Sequence, residues 1–184
     1  SNVASGLYTL GSNGARGNEI VLNQSGNTIT GSYNSTNYFT ITINTSSGEV
    51  TLDQLAAIYH ADGTNADDTS TLTTASGALV LRATVTDADN DQVTHNLDLG
   101  AGGAFQIKDD GPAINAANVD ATIDTLTVDE SNLSSNATAS FADNFTNAIS
   151  YGADGSGSTA YTLVLTGSNV ASGLYTLGSN GARG

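Results

Sequence analysis

The chain has 184 residues, with eighteen acids against four bases and a formal charge of −14, so its surface repels nucleic acid and anionic lipid, which are held by Lys and Arg. It contains no Cys, Met or Trp, which excludes a disulfide framework and any Cys-based metal or redox site. Apolar residues make up 38%, enough for a thin sandwich core, and no apolar run approaches the ~18–20 residues that span a bilayer.

Taken from the N-terminus, alternating or β-branched runs predict strands at residues 7–10, 19–23, 28–33, 38–43 and 49–52. Turn signals separate them: Asn13-Gly14, Ser25-Gly26-Asn27 and Ser46-Ser47-Gly48. A different pattern follows. Thr51 and Gln54 have capping-box spacing, and Leu52, Leu55, Ala56 and Tyr59 fall on one helical face, so one short helix is expected over 52–59. Residues 62–76 then read as a polar loop. Further strands are predicted at 78–86, 92–99, 104–107, 123–128, 137–141 and 160–165. About eleven strands with short connections point to an all-β fold, an antiparallel β-sandwich.

The chain repeats itself. Residues 1–17 read SNVASGLYTLGSNGARG and residues 168–184 read the same, a period of 167 residues. That period is far longer than the ~20–50 residues of solenoid or propeller repeats, so it implies whole modules strung in tandem. Each period carries all eighteen acids and three of the four bases, which makes a long array a strongly acidic rod. Asp109-Asp110-Gly111-Pro112 holds the only proline and is the predicted module boundary. Residues 1–110 would then be the C-terminal part of one module, and 111–184 the N-terminal part of the next. The C-terminal piece of another molecule could complete the sandwich, so head-to-tail self-association is expected.

Ten of the eighteen acids lie between Asp87 and Glu130. Asp87, Asp89 and Asp91 alternate on a turn after a strand, Asp109 and Asp110 sit at the boundary, and Asp129 and Glu130 end the next predicted strand. Calcium takes six to eight hard oxygen ligands, and an alternating Asp triplet can aim several carboxylates at one point. These seven residues are the predicted Ca²⁺ ligands. The loop is not an EF-hand, because its sixth position is Gln92 and a strand follows. The two histidines, His60 and His95, accompany no nucleophile elbow, phosphate loop or zinc spacing, and no enzyme is expected.

VTDADND at 85–91, FQIKDDGP at 105–112, LTVDES at 126–131, ISYGADG at 149–155 and YTLVL at 161–165 resemble the repeats of giant RTX-type adhesins exported by type I secretion. The family often has glycine where this chain has Asn90. The resemblance implies an Ig-like extender module on the bacterial cell surface, with calcium at the module junctions stiffening a rod. The expected role is therefore a spacer that projects distal ligand-binding domains, with neighbouring identical modules as its partners and no nucleic acid or membrane insertion. The alternative is a direct carbohydrate- or surface-binding module acting by avidity.

Overall fold

The structure, a computed structural model, describes residues 2–178. The last six residues of the second copy of the duplicated stretch, 179–184, lie outside it. The fold is all-β and antiparallel, and among the described residues no α-helix occurs.

Five strands form a continuous meander: β1 (Val3–Leu10), β2 (Arg16–Ser25), β3 (Thr28–Tyr33), β4 (Thr36–Ile43) and β5 (Val50–Gln54). Short connections enforce this order, because an antiparallel neighbour needs only a tight turn. The β3–β4 turn puts Asn34 and Ser35 at φ +46° and +67°, the left-handed geometry that matches strand twist in a two-residue hairpin. Alternation then sends Leu7, Ile20, Leu22, Phe39 and Ile41 to one face, where all five are buried.

A second layer covers that face. β6 (Thr69–Thr71) pairs with a distant strand, Gln106–Lys108, and brings Leu72, Phe105 and Ile107 onto the sheet. Ile58 and Leu79 complete the buried cluster, which draws on residues between Leu7 and Ile107. The Thr73 amide donates to the Ser5 carbonyl at 2.8 Å. Gly6 permits this crossing: it sits at φ +70°, and a Cβ there would lie 3.1 Å from the Thr73 carbonyl oxygen. The result is a sandwich-like module with a thin core.

Between those pairing strands the chain makes a hairpin, β7 (Val80–Thr86) with β8 (Gln92–Asp98), in register from Val80↔Asp98 to Thr86↔Gln92. β9 (Gln106–Lys108) is the partner of β6. Beyond it, β10 (Ala113–Ile114) and β11 (Ile149–Ser150) form a two-residue ladder.

Three expectations are corrected. Residues 50–54 are strand β5, paired with β4 from Phe39↔Gln54 to Ile43↔Val50, and 55–60 are irregular. The short helix is therefore absent: a sheet edge offers ladder bonds to each residue, which a two-turn helix in water does not match. Leu55 of the supposed apolar face is half exposed, while Ile58 is the residue buried in the core. The polar loop 62–76 contains strand β6, which is too short and too rich in Thr and Ser to show period-2 burial. Finally, residues 123–128, 137–141 and 160–165 are not strands; they lie outside every ladder, and their large apolar side chains are exposed. Alternation supplies a propensity, and a strand exists only against a partner.

Candidate metal centre

β7 and β8 are joined by the five residues 87–91, and the hairpin holds this loop in a fixed shape. The Asp87 amide donates to the Asp91 carbonyl at 3.1 Å, and the Asn90 amide to the Asp87 carbonyl at 3.2 Å. Asn90 takes φ +74°, the conformation a glycine would supply; its short polar side chain makes it one of the residues that tolerates this region. The Asp91 amide donates to Oδ1 of Asp87 at 2.9 Å.

Two-residue spacing places Asp87, Asp89 and Asp91 around one point. One carboxylate oxygen from each lies within 4.8 Å of the others, and all three residues are exposed. Among the described residues this is the only group of three or more acidic, His or Cys side chains so close together. A hydrogen bond with the Asp89 side chain, and then the Asp91 amide, hold the Asp87 carboxyl below the usual carboxylate range.

Among the described residues no Lys or Arg pairs with the cluster. Lys108 pairs with Asp67 at 2.7 Å, Arg16 lies 4.5 Å above the Tyr8 ring, and Arg82 donates from Nε to Oδ1 of Asn96 at 2.9 Å. The triplet can hold a metal ion, and its hard, all-oxygen donor set suits an alkaline-earth cation better than a soft metal.

The other four predicted ligands do not join this group. Asp109 and Asp110 follow β9, where the Asp109 amide donates to the Asp68 carbonyl at 2.7 Å and the Gly111 amide to Ala66 at 3.2 Å. Asp129 turns its carboxylate on its own backbone: the Ser131 amide donates to Oδ1 at 2.7 Å and lowers the carboxyl's pKa, followed by the Ser131 hydroxyl. Glu130 is exposed beside it in the same turn.

One acid was missed by sequence reasoning. In the sequence Asp154 is only the first half of an Asp-Gly pair, yet the Ala153 amide donates to the Asp110 carbonyl at 3.3 Å and brings Asp154 back beside Asp109 and Asp110. Partial burial raises its pKa; the negative charges of Asp109 and Asp110 raise it further, and His60 opposes them. No spacing in the sequence links residues 110 and 154; only the fold does.

Residues 1–100 and 125–182, most of the chain, match the family model described as a domain of unknown function, DUF5801. No curated protein and no solved structure matches the chain.

Proposed function

This chain belongs to the DUF5801 family, and we propose that it works as a tandemly repeated, calcium-stiffened spacer of a bacterial surface adhesin rather than as an enzyme. The observation that carries the proposal is the identity of residues 1–17 and 168–184 at a period of 167. Repeating a whole β module multiplies length and spacing; it seldom serves a catalyst. The unmatched stretch between the two family segments contains Asp109-Asp110-Gly111-Pro112, in keeping with a module boundary there.

Calcium is the cation this reading assigns to the Asp87–Asp89–Asp91 cluster, and a second acidic group at the boundary, Asp109, Asp110 and Asp154, is where stiffening would act. An extracellular setting supplies millimolar calcium, which suits an exposed site with a dissociation constant of about 10⁻⁴–10⁻³ M. The resemblance of the five motifs to RTX-type adhesin repeats supports the cell-surface setting, and among the described residues no helix is long and apolar enough to cross a membrane.

The test is small-angle scattering of a protein spanning two periods. Its maximum dimension should be longer in millimolar calcium than in chelator, and Asp109, Asp110 and Asp154 changed together to Asn should shorten it in calcium. Equal dimensions in calcium and chelator would overturn the spacer's calcium dependence.

A further inference from the structure

We propose that the apolar face of the β7–β8 hairpin is a docking surface for residues 123–165 of a second copy of this chain, so that copies join head to tail. The hairpin register sets Leu81 opposite Leu97 and Val85 opposite Val93. Strand alternation puts these four side chains on one face, with the Ala83–His95 pair between them. Leu81, at the root, lines a groove with Ile29, Ile41, Ile43 and Val50, rimmed by Gln24, Asn27 and Thr42, so the face continues the core's surface outward. Past that groove nothing covers it: Val85, Val93 and Leu97 are 63%, 67% and 59% exposed. The hairpin is also a two-stranded sheet, with no third strand among the described residues on either edge. An isolated hairpin is marginally stable, and open edges recruit further strands.

The occupant is written in the same chain. Tyr161, Leu163 and Leu165 alternate along one side of a strand-forming run, Leu126 and Val128 along another, and all five are exposed. These runs do not cover the hairpin of their own chain, as its exposure demonstrates. The duplication supplies the order of pieces: residues 168–178, directly after this segment, repeat the sequence of β1, so each 123–165 segment leads into another copy of the unit that bears the hairpin. Two uncovered apolar halves that alternate along a tandem chain complete one another. Such an interface joins different patches on the two partners and therefore propagates as open chains. The inference deepens the spacer reading by naming what adjacent periods touch, and it does not involve the metal.

Light scattering of the whole chain in chelator, from micromolar to millimolar concentration, tests it separately from calcium. The average mass should climb past that of a dimer. Val93→Asp (hairpin disabled) and Leu163→Asp (segment disabled) should each reduce self-association at least tenfold. Both side chains are exposed, so circular dichroism should show each variant folded. An equimolar mixture of the two variants should form a one-to-one dimer and stop there, because it holds one intact copy of each surface. A mass that stays monomeric throughout would overturn the proposal, as would a mixture that forms no dimer.

Discussion

Phe39 has no exposed surface, and its ring lies directly over Gly31 on the adjacent strand, opposite it in the β3–β4 register. A methyl group at residue 31 would sit 2.3 Å from the ring, well inside contact distance. Gly31 is thus the flat floor on which the largest core side chain rests. Gly31→Ala should destabilise the module by about 1–3 kcal/mol through overpacking, and Phe39→Ala by about 3–5 kcal/mol through the cavity it leaves. Combined with Phe39→Leu, Gly31→Ala should cost less than it does alone, because the two sites share one volume. Denaturant melts of the parent, Gly31→Ala, Phe39→Leu and the double variant measure this coupling; strictly additive costs would mean that the ring and the glycine do not constrain each other.

At the scale of elements, the root of β7–β8 is fastened by a carboxylate. Asp98 ends β8, and its Oδ1 accepts from the Ala101 amide at 3.0 Å, while Oδ2 accepts from the Gly77 amide at 2.7 Å and the Ser76 hydroxyl at 3.1 Å. These bonds, the Ala101 amide first, favour the charged form and lower its pKa. A depressed folded-state pKa contributes stability that is present above the unfolded value of about 3.9 and is lost as pH falls through the folded value. The Gly77 and Ala101 amide proton resonances should therefore shift together in acid, with a midpoint below about pH 3.9. Asp98→Asn should flatten both titrations. A midpoint at or above the ordinary carboxylate value would show that the bonds do not favour the carboxylate. Which elements were legible follows from the same dependence on partners. β1 to β4, β7 and β8 announce themselves by alternation because each meets a local antiparallel neighbour. β6 pairs with β9 across thirty-odd residues and carries almost no pattern, although the run at 104–107 foreshadows β9, and the capping-box spacing at Thr51 is overruled by the open edge of β4. The duplicated stretch makes the point within one molecule: Leu7 is 3% exposed in β1, while Leu174, the same residue of the same sequence, is 85% exposed outside any strand. The first copy has β2 and the second layer against it, so context and not sequence decides. The Asp triplet was legible because its ligands are local; Asp154 was not, since a long-range turn brings it to Asp110.

For the whole molecule, the charge of −14 on a thin, disulfide-free core sets the terms of stability. Like charges favour the expanded chain, and at Asp87, Asp89 and Asp91 three exposed carboxylates concentrate the repulsion. A cation bound there by the folded hairpin and not by the unfolded chain stabilises by mass action. Free calcium tenfold above the dissociation constant adds RT ln 11, about 1.4 kcal/mol per site. For a chain of this size that corresponds to a rise in melting temperature of roughly 3–6 °C per occupied site. Against a total stability of about 5–15 kcal/mol, one or two such sites are a sizeable share. The chain should therefore melt several degrees higher in millimolar calcium than in chelator. Asp87, Asp89 and Asp91 changed together to Asn should remove most of that gap while leaving the melt in chelator unchanged or slightly higher, since the substitutions also relieve repulsion. Magnesium should substitute poorly, because it demands a tight octahedral shell and gives up its waters reluctantly. The stabilisation should fade as pH drops into the carboxylate range, where protons compete for the same oxygens. Calorimetry in calcium, magnesium and chelator measures all of these, and equal melting temperatures in calcium and chelator would leave the triplet as a solvated hairpin tip whose charges serve solubility alone.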